Sequence, residues 1–116
     1  MSKYQVIFHI DELNKWGLLL KNVSNLLDAV GDDEFSIEVL ANAEAVKFYD
    51  AGQKSDLDLD LIRNLNNKGV KFIACNNALR AFDLKKADLL KFVTIVPVGV
   101  IELIIKQSKG YAYIRP

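Results

Sequence analysis

Apolar residues recur along the chain in two rhythms, and the change from one to the other marks the elements. Tyr4 to Ile10 is a β-branched and aromatic run of strand length. Asp11 then stands where a helix cap is expected, with Glu12 in the first turn. Leu13, Trp16, Leu20, Val23, Leu27 and Val30 follow helical spacing, and Leu18, Leu19 and Leu26 widen the stripe. Gly31 is a natural stop. Phe35 to Leu40 reads as a second strand, ended by Ala41 and Asn42. Residues 43–51 predict a short helix closed by Gly52. Ser55 or Asp56 is placed to cap the next helix, whose apolar face is Leu57, Leu61, Ile62 and Leu65. Val70 to Cys75 is a third strand, and a helical turn is expected from about Ala78 to Phe82, with another at 85–90. Phe92 to Val96 is a fourth strand, stopped by Pro97. Val100, Ile101, Ile104 and Ile105 form one more helical face, and Tyr111 to Ile114 a short last strand.

Near-continuous apolar strands separated by helices predict a parallel sheet covered on both faces. Right-handed crossovers make it a small three-layer α/β/α fold with a mainly parallel five-stranded sheet. The 116 residues fit a single domain, 1–116, and no repeat or linker divides them. In such folds ligands bind beyond the carboxyl ends of the strands. That rule selects His9, Asn42, Cys75 with Asn76, and Pro97 leading to Gly99. The chain's one His and one Cys therefore share the edge where sites are built, and strand order decides whether they meet.

Composition narrows the function. The hydrophobic fraction is 51%, enough for a packed core. Lys plus Arg is 15 and Asp plus Glu is 15, so no overall basic excess points to nucleic acid. The local clusters at 32–34, 56–60 and 85–91 read as solvated turns and helix ends. One cysteine cannot close an internal disulfide, the N-terminus does not read as a signal peptide, and the most apolar stretch, 92–105, is too short to span a bilayer. The expectation is a cytoplasmic protein with neither a membrane nor a nucleic acid as its partner.

Cys75 is the chemical candidate, and two readings of it stand. As a nucleophile it must be a thiolate, which the positive end of the following helix, Asn76 and Asn77 as caps, and the Arg80 guanidinium would favour. As a strand-closing residue it is a small inert hydrophobe. His9 is either a base or a polar strand terminus, and Trp16 either a ligand platform or core. One Cys and one His make no zinc set, and neither a phosphate loop nor a nucleophile elbow is present. Asp56, Asp58 and Asp60 alternate like calcium ligands but lack the loop glycine and distal glutamate. No cofactor or metal is called for.

Ala74-Cys75-Asn76-Asn77-Ala78-Leu79-Arg80 and Val96-Pro97-Val98-Gly99-Val100-Ile101-Glu102-Leu103 together resemble the DsrE-like family of small α/β proteins. Gln107, the 110–114 segment, His9 and the stretch 42–46 add to the likeness, which spans nearly the whole chain. The resemblance is to the stand-alone branch rather than to the sulfur-relay subunits themselves. It implies a parallel five-stranded α/β/α fold and assembly into oligomers. It also implies that Cys75 carries sulfur as a persulfide between a donor and an acceptor protein, with His9, Asn42, Asn76, Asn77, Arg80, Pro97 and Gly99 about the pocket. The rival is a non-catalytic oligomeric binding module in which Cys75 is structural. Under either reading the last helix and Trp16 supply apolar surface for a homo-oligomer.

Overall fold

The computed structural model describes residues 4–52 and 57–116. Five strands, β1 (Tyr4–Ile10), β2 (Phe35–Ala41), β3 (Lys71–Cys75), β4 (Thr94–Val96) and β5 (Ala112–Ile114), form one sheet in the order β4-β3-β2-β1-β5. Every pairing is parallel. Between them run the helices α1 (Trp16–Val30), α2 (Leu57–Asn67), α3 (Asn76–Ala81) and α4 (Gly99–Ser108), with 3₁₀ segments at Leu13–Lys15, Ala43–Tyr49 and Lys86–Asp88. The Ser55 or Asp56 cap and the Leu57 side chain lie outside the described residues.

Strand order decides which face each helix takes. The chain steps β1, β2, β3, β4 in one direction, so right-handed crossovers put α1, α2 and α3 on one face. It then returns past β1 to lay down β5, which puts α4 on the other face, alone. The first face is the main core. Val6, Phe8, Ile37, Val39 and Phe72 point into it from the sheet. Trp16 stacks there with Phe48 and Tyr49 at centroid distances of 4.8 and 5.3 Å, and its indole N–H donates to the Ala45 carbonyl at 2.8 Å. Trp16 is therefore core, not a ligand platform, and it offers no surface to an oligomer. Tyr49 is fully buried and donates to the Ile73 carbonyl at 3.1 Å; burial holds its hydroxyl well above the usual tyrosine range.

Local chemistry corrects several expected boundaries. Asp11 does not cap a helix; its carboxylate accepts from Arg115 Nη2 at 2.7 and 2.9 Å instead. The Leu13 N–H is met from across the fold by Glu44 Oε2 at 3.0 Å. With that remote carboxylate serving the N-terminus, the chain starts as a 3₁₀ turn and becomes α-helical at Trp16. In α2 the buried stripe is Leu59, Ile62 and Leu65, while Leu61 is half-buried. The fourth strand is shorter than its apolar run, because Phe92 and Val93 pack as loop residues before Thr94. The short helix expected at 43–51 is a 3₁₀ segment, Ala43–Tyr49, and Asp50 beyond it forms an isolated bridge with Leu89.

The α4 face is thinner and more polar. Ile7, Leu40, Ile73 and Leu103 form its buried apolar cluster among the described residues. Beside them Glu38 is 2% exposed, and its Oε2 accepts from Lys106 Nζ at 2.8 Å. Lys106 Nζ also lies 4.0 Å from Glu102 Oε2 and 5.2 Å from the Tyr111 ring centroid. Glu38 Oε1 is buried without a hydrogen-bond partner. Burial, the Glu38 carboxylate and like charge hold the Glu102 carboxyl above its ordinary range, against the pull of Lys106 and Lys109. The same Glu38 carboxylate holds the Lys106 ammonium above the usual lysine range.

A raised carboxyl stabilises the fold while it keeps its proton, and that contribution disappears as pH rises from the ordinary glutamate value of 4.5 through the higher folded value. Glu102→Gln keeps the size and polarity of the side chain without the titration. The stability of Glu102→Gln minus that of the wild type, from denaturant unfolding, is expected to grow between pH 4.5 and neutrality. A difference that stays flat over that range would show that burial and Glu38 do not raise the Glu102 carboxyl in the folded protein.

Candidate functional site: a thiol at the switch between the two faces

The connections leaving β3 and β4 depart to opposite faces, α3 to one and α4 to the other, and it is beyond the carboxyl ends of two such strands that parallel α/β sheets form a crevice. Cys75 closes β3 at that crevice. Strand alternation turns its side chain toward the α4 face, with Ile73 below it and Val96 beside it in register. Its sulfur accepts a hydrogen bond from the Gly99 N–H at 3.3 Å. Gly99 is the first residue of α4, so the positive end of a ten-residue helix points at the thiol. Cys75 is 7% exposed.

Gly99 makes this approach possible. A Cβ added there would stand 3.1 Å from Cys75 Cβ, 3.4 Å from Leu40 Cδ2 and 3.5 Å from the sulfur. The helix expected to serve the sulfur was the one after β3. That helix starts at once, with Cys75 itself as N-cap, and has six residues. Asn76 and Asn77 are thus inside α3 rather than caps in front of it, and no side chain caps its start. Asn77 Oδ1 accepts from Arg80 Nη2 at 2.8 Å on the exposed side of that helix.

His9 lies on β1, with β2 between it and β3, and it is 8% exposed. Its Nε2 stands 3.0 Å from Asn42 Oδ1 and its Nδ1 2.7 Å from the Tyr113 hydroxyl. The two rings lie 5.8 Å apart, tilted by 51°. The imidazole hydrogen bonds thus go to Asn42 and Tyr113. The site residues therefore meet in three pairs: Cys75 with Gly99, His9 with Asn42, and Asn77 with Arg80. Tyr113 is the addition that sequence reasoning missed as a site residue. Its place follows from the pairing of β5 with β1, which sets Tyr113 beside Ile7, one step before His9 on the same face, and that pairing is not legible in the sequence. Pro97 lines a cavity of about 160 Å³ with Val96, Val98, Ile101, Glu102 and Ile105, on the β4 flank of α4. Among the described residues, no group of three or more His, Cys, Asp or Glu side chains could hold a metal ion. No described helix is long and apolar enough to cross a membrane.

This arrangement defines a class: parallel α/β proteins with one thiol at a strand-edge crevice, met by the first amide of the final helix. The chain belongs to the DsrE/DsrF-like family, whose model matches residues 6–116. Among solved structures it is similar to the protein of unknown function MTH1491 from Methanobacterium thermoautotrophicum, at 36% identity and a TM-score of 0.86, over 98% of this chain and 100% of that one. It shares its fold with the ychN protein from E. coli, at 15% identity and a TM-score of 0.77 over the whole of both chains. It shares it too with BT1422 from Bacteroides thetaiotaomicron, a conserved protein of unknown function, at 14% identity and a TM-score of 0.72 over 96% and 93% of the two chains. No curated protein matches the sequence.

Gly99→Ala tests the packing of thiol against helix. Alanine normally favours a helix over glycine by about 1 kcal/mol. Here its methyl group would crowd Cys75 and Leu40, so a net loss of about 1–3 kcal/mol is expected in chemical denaturation. A neutral or stabilised variant would show that the helix end is free to shift away from the thiol.

Proposed function

We propose that the protein is a sulfur carrier of the cytoplasm that holds sulfur as a persulfide on Cys75 and passes it to a partner protein. The observation that carries this reading is the Gly99 N–H aimed at the sulfur from the start of α4 at 3.3 Å. A thiolate or persulfide anion accepts such a donor more strongly than a neutral thiol does. Sulfur relay is the activity associated with the DsrE/DsrF-like family in general, and a carrier needs a single accessible nucleophilic sulfur.

The chemistry balances without an oxidant. The Cys75 thiolate attacks the outer sulfur of a donor persulfide, R–S–SH. The donor S–S bond breaks, its electron pair leaves on RS⁻, and a new S–S bond leaves Cys75–S–SH. Delivery repeats the step, with the acceptor thiolate attacking. With one cysteine in the chain, no internal disulfide can release the sulfur, so the acceptor must be another molecule.

The outward face of α4 exposes Val100, Ile101, Ile104 and Ile105. We assign this apolar stripe to a homo-oligomer interface. The burial of Cys75 favours a second reading, an oligomeric ligand- or protein-binding module in which the thiol is only wall.

Incubation with a cysteine desulfurase and cysteine, followed by intact-mass spectrometry, separates the two. The carrier gains one sulfur atom, loses it to a reducing thiol, and gains nothing as Cys75→Ser. No gain, with Cys75 also inert to small alkylating reagents, makes the binding module the better account. Light scattering should find an oligomer that Ile101→Glu/Ile104→Glu converts to monomer; a monomeric wild type would remove the interface.

A further inference from the structure

A cavity of about 510 Å³ lies on the main-core side of the sheet, between α2 and the segment that leads into β4. It shares no lining residue with the Cys75 site. Its volume falls within the roughly 300–1,000 Å³ of small-molecule pockets. Leu89 and Leu90 form its buried lining, and Phe92, half-buried, has its ring 5.9 Å from that of Phe72. Backbone hydrogen bonds hold this wall in place. The Ala51 N–H donates to the Asp88 carbonyl at 2.8 Å and the Leu90 N–H to the Tyr49 carbonyl at 2.9 Å, on either side of the Asp50–Leu89 bridge. The cleft is therefore built by the fold and does not wait on a ligand to shape it.

The polar part of the lining has one sign. Arg63 and Asn67 stand four residues apart on α2, hence on one side of it, and Lys91 comes from the facing segment. All three are exposed. Among the described residues, no ion pair or side-chain hydrogen bond engages any of them. The carboxylates next along the chain are turned to backbone amides: Asp88 Oδ2 accepts from the Lys85 N–H and Asp50 Oδ1 from the Gly52 N–H, both at 2.9 Å. A second cavity of about 500 Å³ shares the Leu89–Leu90–Lys91 wall and adds Lys86. Among the described residues, no Asp or Glu lines either cavity. Unpaired cations beside apolar walls concentrate a positive field in the cleft.

We propose that this cleft binds a small organic anion, a carboxylate carried on a flat apolar body. The carboxylate is met by Arg63, Asn67 and Lys91, and the body lies against Leu89, Leu90 and Phe92. A guanidinium offers paired N–H donors that match the two oxygens of a carboxylate, and the Asn67 carboxamide offers an NH₂. Lys91 adds a second charge, and the Phe92 ring offers a flat group a partner for stacking. The site goes beyond the carrier reading and does not depend on it.

Titration with 1-naphthoate, followed by ¹H–¹⁵N NMR, tests the proposal. The amides of residues 63–67 and 87–92 are expected to shift and to saturate. 1-Naphthamide has nearly the same shape without the charge, and should bind about tenfold more weakly or worse. Added salt should weaken the naphthoate alone. Arg63→Gln and Lys91→Gln should each weaken naphthoate by about three- to tenfold and leave naphthamide unchanged. Ala87 also lines the cleft and is exposed, so Ala87→Trp should fill the cavity and abolish the binding of both without unfolding the protein. Equal affinity for acid and amide overturns the proposal, as do shifts confined to the apolar stripe of α4 or a response that never saturates. Shifts of the same amides on raising the protein concentration alone would make a second copy of the chain the occupant, and would overturn it too.

Discussion

The handedness of the strand crossovers governs this molecule. A right-twisted parallel sheet accepts each connecting helix on one side only, and the side depends on which way the chain steps. Three steps in one direction and one long return place three helices on one face and one on the other. The dense aromatic core, the thin polar second face and the crevice between β3 and β4 all follow from that imbalance. One ten-residue helix cannot cover a five-stranded sheet, so polar groups fill the remainder. Glu38 lies under α4 on β2, and Lys106 and Glu102 reach toward it from the helix itself.

The site draws on both faces at once. Cys75 belongs to a strand packed into the main core, which fixes its backbone. Its side chain, by alternation, emerges on the sparse side against the first amide of α4. The same parity places His9, Asn42 and Tyr113 on that side, so residues 104 positions apart come within hydrogen-bonding reach. The rigid part of the chain thus positions the sulfur, and the lightly covered part supplies its polar surroundings.

Much of the fold was legible because strand and helix periods are local properties. The runs at 4–10, 35–40 and 70–75, and the breaks at Gly31 and Pro97, came directly from residue type. The candidate edge residues followed from one rule about parallel sheets. What could not be read was anything that depends on strand order. The helix whose first amide meets Cys75 is α4, not the neighbouring α3, and only the 4-3-2-1-5 order brings Gly99 there. Glu38 is a charged residue within the second strand, yet it is buried, because α4 returns over it with Lys106. Asp11 looked like a cap because Arg115 is far away in sequence and adjacent in space. The apolar stripe of α4 was visible as a helical face, but its outward direction was not: the buried side is held by Leu103.

The lengths of the strands have a further consequence, for how the protein avoids uncontrolled association. The two longest strands, of seven residues each, lie inside the sheet, and both edges are strands of only three residues. An edge that short offers few free amides and carbonyls to a passing chain. Pro97, directly after β4, withholds an amide where that edge would lengthen. Lateral growth by strand addition, the route toward fibrils, is closed at both ends. Self-association is left to side-chain packing, which can be shaped for one partner and refused to others.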